Sequence, residues 1–442
     1  MQVQLSDHFT YKKLLKFTWP TVVMMVFTSL YGVVDGLLVS NFVGKTAFAA
    51  VNMIWPYVML LGAVGFLFGT GGSALIAQKL GERQPEQANA LFSLFVYVSL
   101  ASGVAVAIIG RLLLRTVAVL QGAEGELLEA CMQYGSILLA VTPLFIAQLE
   151  FQTLFITAEK PQLGMWSIVA CGVVNMVLDW LFMAVFHWGI IGAAVATAIS
   201  QTMGGMIPLV YFTCPNASLL RLRRCKMDGK ALVRCCTNGS SELMSNISMS
   251  LVNMLYNMQL MHYAGQDGVA AYGAMMYVSF VFLSVFIGYS VGVSPVVSFH
   301  YGAQNQGELK NLRKKSFAVI GAVSGSMLLI SILCAAPLSR MFVGYDPGLF
   351  DLTRRGFFVY SFAYPLAAVA IFGSCFFTAL GDGLISALIS FLRTLVFQVG
   401  AVLLLPLVWG VDGIWWSIVA AELAACILSL VFLVIRQKKY GY

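Results

Sequence analysis

Long runs of apolar residues dominate the chain, and its polar residues are gathered into short segments between them. Each run is roughly 20 residues or longer, which is the length of α-helix needed to cross a hydrocarbon core about 30 Å thick. The pattern therefore predicts twelve transmembrane helices, approximately over residues 14–40, 48–78, 88–110, 130–157, 162–187, 189–212, 237–262, 269–299, 316–336, 356–380, 384–408 and 413–435.

The composition agrees with this pattern, since hydrophobic residues make up 60% of the 442 residues and charged residues 10%. These values lie far from the average of soluble globular proteins. The polar amino terminus is followed by a full-length span, so we expect the first helix to be retained rather than cleaved as a signal peptide. The nine cysteines show neither a disulfide framework nor zinc spacing. We predict an all-α polytopic protein of the plasma membrane.

The positive charges are unevenly divided between the two sides of the predicted bundle. Of the 26 lysines and arginines, 19 lie in the tails and in the loops on the amino-terminal side. The positive-inside rule then places both termini in the cytoplasm. The basic stretch RLRRCK (221–226) is accordingly interpreted as an orientation signal, and we expect no nucleic-acid partner.

The sequence repeats weakly at an offset of 221 residues, as in transporters built from duplicated halves. The matches at this offset are FVGKTAFAAVN (42–52) with YAGQDGVAAYG (263–273), Gly81 with Gly302, and WGIIG (188–192) with WGVDG (409–413). Six spans per half is an even number, so the two lobes are expected to be parallel repeats. We predict an amino-terminal six-helix lobe (1–212), a basic cytoplasmic linker (213–236) and a carboxy-terminal six-helix lobe (237–442).

Five ionisable residues stand out within the predicted spans: Asp35, Glu150, Asp179, Arg393 and Glu422. Such residues are costly in lipid, and they usually face a cavity or a partner and mark a transport pathway. Arg393 and Glu422 lie near the middle of neighbouring antiparallel spans, which favours a structural pair over a substrate contact. For Glu150, a structural role and a substrate-contacting role in the cleft remain equally open.

Asp35 and Asp179 are predicted to lie at similar heights, because each is about 18 residues, or about 27 Å, from the inward end of its helix. Asn175 shares a helix face with Asp179, and Thr197 adds an oxygen from the sixth span. The four residues form an oxygen-rich set suited to a hard cation or to a proton shared by two carboxylates. Neither aspartate has an acidic counterpart in the other half, which favours ion coupling over purely structural hydrogen bonding.

Several segments together resemble the multidrug and toxic compound extrusion (MATE) family. They are Pro20 with Asp35 fifteen residues later, NMVLDWLF (175–182), GIIGAAVAT (189–197) and TAEKP (157–161). The resemblance covers the whole chain and is specific in the first half. It implies an antiporter that exports organic, often cationic, compounds in exchange for inward Na⁺ or H⁺.

The resemblance also implies a cation or proton site, and Na⁺ ligands if Na⁺ is the ion, at Asp35, Asn175, Asp179 and Thr197. Many family members carry an Arg-and-Gly turn where this chain has TAEKP, so the contribution of the fourth helix is unassigned, with Gln152 and Thr153 as candidates. Pro20 lacks an amide hydrogen and predicts a weakened or kinked first helix. Our hypothesis is that ion binding changes how this helix packs.

Other functions are less well supported by the sequence. The GKT at 44–46 lacks the upstream glycine of a phosphate-binding loop, and no catalytic cluster or GxSxG motif is present, so we expect neither an ATP-driven pump nor an enzyme. The serious alternative is a flippase for lipid-linked sugars. We expect a monomer in the lipid bilayer with no cofactor and with a small organic substrate.

Overall fold

The computed structural model describes residues 3–216, 218–343 and 347–442, and its described segments contain helices and no strands. The helices of the first half are α1 (Tyr11–Phe42), α2 (Lys45–Gly81), α3 (Pro85–Leu120), α4 (Gly125–Thr157), α5 (Pro161–Asp179), its π-helical extension (Trp180–Val185) and α6 (Gly189–Thr213). Those of the second half are α7 (Gly229–Gly302), α8 (Gln306–Val343), α9 (Pro347–Ser361), α10 (Ala363–Ala379), α11 (Gly383–Phe391), a π-helical segment (Leu392–Phe397), α12 (Gln398–Leu404), α13 (Pro406–Trp409), α14 (Val411–Ile435) and α15 (Gln437–Tyr440).

Ten helical segments among the described residues are long and apolar enough to cross a membrane, and α9 and α10 form one more span bent by 44°. The one remaining predicted span, 237–262, lies in the first arm of α7, residues 229–264. Asn238, Glu242 and Asn246 lower the hydropathy of this arm. At Gly265 the backbone leaves helical geometry, with φ 62° and ψ −152°, and the second arm begins. The predicted all-α membrane fold is confirmed.

Local sequence signals account for several helix ends. Pro85 and Pro161 occupy the first positions of α3 and α5, where the missing amide hydrogen costs no hydrogen bond. Thr10 caps α1 by accepting a hydrogen bond from the Lys13 amide at 3.3 Å. The Asp228 carboxylate caps α7 in the same way, so α7 begins eight residues before the predicted span.

The internal repeat is visible in the backbone. Three pairs of residues that are 221 positions apart share positive φ angles: Gly44 (108°) with Gly265 (62°), Arg83 (59°) with Gln304 (54°), and Gly189 (61°) with Gly410 (57°). Two of these pairs lie in the segments that match in sequence. Turns of the same unusual conformation at equivalent positions support the two-lobe organisation, whereas the domain boundaries at 212 and 237 stay a prediction.

The backbones of the two halves are in close contact at the end of the bundle that carries both termini, which we call the termini end. A methyl group added at Gly81 would lie 2.0 Å from the carbonyl oxygen of Phe299, and one at Gly302 would lie 2.1 Å from that of Gln78. These two contacts are exchanged by the offset of 221 residues. Because real carbon atoms cannot approach so closely, only glycine permits this backbone contact, and the structure is closed at the termini end.

Candidate functional site

Asp35 of α1 and Asp179 of α5 meet inside the first half, in the part of the bundle away from the termini end. Their carboxyl groups are close enough to interact directly. Asp179 is completely buried. Three carboxyl oxygens, namely both of Asp179 and Oδ1 of Asp35, have no hydrogen-bonding partner of ordinary geometry among the described residues. Asp35 as a whole is half-buried, but its Oδ1 is buried, and buried unsatisfied oxygens on two adjacent acidic groups are costly unless a proton or a cation lies between them.

Neutral oxygen groups from three helices surround the two carboxyl groups. The Asn175 amide donates to the hydroxyl of Thr197 at 3.4 Å, and both side chains are buried. The hydroxyl of Tyr134, on α4, interacts with Thr197 and lies close to both aspartates. We call these five residues, namely Asp35, Tyr134, Asn175, Asp179 and Thr197, the carboxylate pocket.

Close helix packing brings the pocket together. Gly172 of α5 lies against α1, where an added methyl group would be 2.5 Å from a ring carbon of Phe27 and 3.3 Å from one of Tyr31. Gly205 of α6 lies equally close to α4, since a methyl group added at Gly205 would be 2.4 Å from the carbonyl oxygen of Leu144. Small residues allow helix axes to approach in this way. The pocket therefore depends on glycines that lie one to several turns away from it.

The helix that carries Asp179 changes its geometry directly after this residue. The amide of Phe186 donates to the carbonyl of Leu181 at 2.9 Å, five residues earlier, which defines a π-helical turn. Single π-helical turns inside α-helices are frequent at functional sites. Here the turn ends in stacked aromatic rings, with the centroids of Phe182 and Trp188 4.8 Å apart. The turn fixes the far end of α5 immediately beyond the carboxyl group.

The chemistry of the pocket fits a proton or a hard monovalent cation. It offers two carboxyl groups, one amide and two hydroxyl groups, all of which are oxygen donors to a hard ion. In the part of the chain that the structure describes, no three His, Cys, Asp or Glu side chains are grouped so that they could hold a metal ion.

The structure does not bring the two candidates from the fourth helix to the pocket. Gln152 and Thr153 lie about 18 residues, or about 27 Å, along α4 from Tyr134. Thr153 instead donates to the carbonyl of Glu150 at 3.0 Å. Gln152 lines a small cavity within the first half, beside Gln148. Tyr134 is the residue of α4 that reaches the carboxylate pocket.

Glu150 is buried among the helices and hydrogen-bonded to a side chain of α3. Its side chain is completely buried, and one carboxyl oxygen accepts a short hydrogen bond from the hydroxyl of Ser99 on α3. The other oxygen has no hydrogen-bonding partner among the described residues. The sequence left a structural and a substrate-contacting role open; the hydrogen bond to Ser99 is consistent with the structural role, and the substrate-contacting role stays a prediction.

Arg393 and Glu422 form the predicted pair in the second half. The guanidinium binds the carboxylate with two hydrogen bonds, from Nε at 2.8 Å and from a terminal nitrogen at 2.9 Å. The side chain of Glu422 is 5% exposed and that of Arg393 is 16% exposed. Fork-to-fork geometry makes such a pair both strong and directional. The arginine charge is therefore neutralised within its own half.

A polar cavity lies between the two halves, and the sequence analysis missed its acidic residue. Glu242, on the first arm of α7, lines this cavity together with hydroxyl groups from α2, α4 and α10, including Thr70, Thr153 and Thr378. Glu242 falls within the predicted span 237–262. The polar run TNGSSELMSN around it was the available signal. Tyr134 was missed because a tyrosine in an apolar helix looks like a packing residue.

Comparisons with known proteins agree on one family. The MatE family model matches residues 20–181 and, a second time, residues 243–403. The starts of the two matches are separated by nearly the same number of residues as the internal repeat. The multidrug export protein MepA of Staphylococcus haemolyticus (strain JCSC1435) is 22% identical over 422 residues, which cover 95% of this chain and 92% of MepA.

Solved structures show the same fold. A structure described as the outward-facing conformation of a multidrug resistance MATE family transporter of the MOP superfamily superposes with a TM-score of 0.93, at 22% identity, over 99% of this chain and 98% of the other. A structure of a MATE protein in the bent conformation gives a TM-score of 0.91, at 23% identity, over 99% and 97% of the two chains. The matches to the family model span well over half of the sequence, and the protein belongs to the MATE family of membrane transporters.

Proposed function

We propose that the protein is a secondary antiporter that exports small organic compounds in exchange for Na⁺ or H⁺ bound at the carboxylate pocket. Its family membership and the export function in the name of its relative MepA support the transport of more than one compound. The single observation that carries the ion coupling is the pair of buried, interacting carboxyl groups of Asp35 and Asp179 with their unsatisfied oxygens.

Helix α1 connects this pocket to the interface between the halves. The carboxy-terminal half of α1 carries Asp35. Its amino-terminal half packs on the second arm of α7, where Gly288 lies against Val22 and Gly292 lies against Thr18. Pro20 is buried between these two contacts. A proton or cation that neutralises the aspartates changes the packing of α1, and this change reaches the interface where the halves must separate.

The ion and the exported compound are coupled because they prefer different conformations. Each ligand shifts the equilibrium between these conformations only by the difference in its affinity for them. If both termini lie in the cytoplasm, as the charge distribution predicts, this conformation is closed towards the cell, and we assign it to the state in which the ion enters from outside. Opening at the termini end then releases the ion and admits the compound.

Uptake of a substrate into inverted membrane vesicles, whose cytoplasmic face is turned outwards, tests this function. A Na⁺ gradient and a pH gradient are imposed separately, and the movement of the fluorescent organic cation ethidium is followed. We expect one gradient to drive transport in the parental protein and in Asp351→Asn, a matched control at an exposed aspartate. Asp35→Asn and Asp179→Asn are expected to reduce gradient-driven transport at least about tenfold, because the amide keeps the shape but loses the charge.

The flippase alternative finds less support. Holding a diphosphate needs cationic groups that are available in the cleft, whereas Arg393 is already bound by both oxygens of Glu422. Glu242, which lines the cavity between the halves, is acidic and repels such a ligand. The MATE family is also not a family of enzymes, which agrees with the expectation from the sequence.

A further inference from the structure

The segment before α1, residues 3–10, is folded against the termini end rather than extended away from it. Leu5 and Phe9 are completely buried, although they belong to a polar stretch of sequence. Phe9 contacts the ring of Phe17 edge-on at 6.0 Å and that of His300 at 6.3 Å. The two apolar side chains anchor the segment at both of its ends. We call residues 3–10 the strap.

One end of the strap is bound to the first half. The amide of Leu5 donates to Oε1 of Glu159 at 2.5 Å. Glu159 lies in the turn between α4 and α5, and its positive φ of 58° turns the backbone at this position. A hydrogen bond to an ionised carboxylate is stronger than one between neutral groups. This contact ties the beginning of the strap to the turn that joins two helices of the first half.

The other end is bound to α8 of the second half, with Glu308 as the centre of the contacts. One carboxyl oxygen of Glu308 accepts the amide of Phe9 at 2.9 Å, and the other lies 2.6 Å from Nδ1 of His8. The carbonyl of Phe9 accepts from Asn311 at 3.0 Å and from the ammonium of Lys315 at 2.6 Å. Both backbone polar groups of Phe9 are therefore held by the same helix.

The strap thus joins the two halves at the end where they are closed. The contacts at Glu159 and Glu308 lie on the same face as the glycine contacts of Gly81 with Phe299 and of Gly302 with Gln78. If the halves separate at this end, the strap must release Glu159 or Glu308 or lose its own turn at residues 4–7, because so short a segment cannot follow both halves unchanged. Release also exposes the buried side chain of Leu5 or Phe9 to water. Because this exposure costs free energy, burial of the two side chains favours the closed state.

We propose that residues 3–10 are a latch that holds the two halves closed at the termini end and sets how often this end opens. The proposal rests on the alternating-access transport proposed above. The latch stabilises one state without contacting the carboxylate pocket. Weakening it shifts the equilibrium towards the state that is open at the termini end, whichever ion is coupled.

Hydrogen–deuterium exchange of the purified full-length protein in lipid nanodiscs tests the latch directly. The double variant Leu5→Ala/Phe9→Ala removes both anchors, and Glu159→Gln weakens the contact to the first half alone. We expect amides in residues 78–84 and 299–305 to exchange at least about fivefold faster in the double variant, and faster to a smaller degree in Glu159→Gln. Lys12→Gln is the matched control, since Lys12 is exposed on α1 and lies outside the strap.

We expect the amides at the termini end to exchange faster in both latch variants than in the parental protein. In the control variant, their exchange rate is expected to be unchanged. Faster exchange confined to the strap, with residues 78–84 and 299–305 unchanged, overturns the proposal. Glu159→Gln changes only one atom and keeps the test interpretable if the double variant fails to fold. The measurement of amide exchange needs neither an ion gradient nor a substrate. The latch can therefore be confirmed or overturned even if the proposed ion coupling proves wrong.

Discussion

At the residue scale, the carboxylate pocket combines two acidic groups with neighbours that carry no positive charge. Tyr134, Asn175 and Thr197 supply hydroxyl and amide dipoles, and none of them neutralises the aspartates. The arginine of the second half is different, because Glu422 binds it directly. A buried acidic pair without a cationic partner favours an exchangeable ion, whereas a complete ion pair favours a fixed structure.

Replacing Tyr134 by phenylalanine removes the hydroxyl that faces both aspartates and leaves the ring in place. Losing one hydrogen bond to the ion-loaded pocket costs about 1–1.5 kcal/mol. We expect the concentration of the coupling ion that gives half-maximal ethidium efflux to rise about tenfold. Tyr97→Phe, on the exposed face of α3, is the control. An unchanged ion requirement in Tyr134→Phe means that this hydroxyl does not belong to the site.

Arg393→Leu tests the fixed pair in the second half. Removing one partner leaves the carboxylate of Glu422 buried without compensation, which costs about 3 kcal/mol. We expect a lower midpoint of thermal unfolding for the purified protein, and recovery of most of this loss in Arg393→Leu/Glu422→Leu. Ion dependence of transport should stay parental in the double variant. If the double variant loses ion coupling, the pair has a role in transport beyond structure.

Much of the pocket could be predicted because helical geometry converts sequence positions into heights. Asp35, Asn175, Asp179 and Thr197 were selected in this way, and the structure places them together, while their role in ion coupling stays a prediction. Tyr134 could not be selected, since its usefulness depends on the rotation of α4 about its own axis. That rotation is set by close contacts such as Gly205 against Leu144, which a single sequence does not reveal.

At the element scale, α1 is the helix that belongs to both the pocket and the interface between the halves. The helix is continuous from Tyr11 to Phe42, with Pro20 inside it. Proline removes one backbone hydrogen bond and crowds the preceding turn, so bending is easiest there. The buried hydroxyl of Thr21, which has no hydrogen-bonding partner among the described residues, lies beside this weak point.

Pro20→Ala restores the missing amide and stiffens α1. We expect the maximal rate of ethidium efflux to fall several-fold while ethidium binding to the purified protein changes less than twofold, because bending is needed for turnover and not for binding. Rates and affinities measured on the same preparation separate the two effects. If Pro20→Ala transports at the parental rate with the same ion dependence, α1 does not transmit the signal by bending.

The prediction of the other elements succeeded where hydropathy is the deciding quantity. The ends of α5 and α6 were found to within a few residues, since Pro161 and Gly189 mark the starts of these helices. Two helices are longer than the predicted spans. Helix α3 continues to Leu120, ten residues past the predicted end, and α8 begins at Gln306, ten residues before the predicted start. Hydropathy reports the part of a helix in the membrane, whereas the hydrogen-bonded helix continues past it wherever no residue breaks it.

At the scale of the whole molecule, the pocket and the closed contact lie at opposite ends of the first half. The contact at the termini end uses backbone approach at Gly81 and Gly302, and it is symmetric under the repeat. The pocket is not symmetric, because only the first half carries the two aspartates. A symmetric contact between the halves together with an asymmetric ion site allows a single binding event to act on both halves, provided that α1 connects them.

The central claim is that Asp35 and Asp179 bind the ion that the exported compound displaces. The most direct test measures release of Na⁺ or H⁺ when ethidium is added to the purified protein in lightly buffered detergent. We predict release of one of these ions from the parental protein and from Asp351→Asn, and no release from Asp35→Asn or Asp179→Asn, while all four bind ethidium. Undiminished ion release from the Asp35→Asn and Asp179→Asn variants would contradict the account.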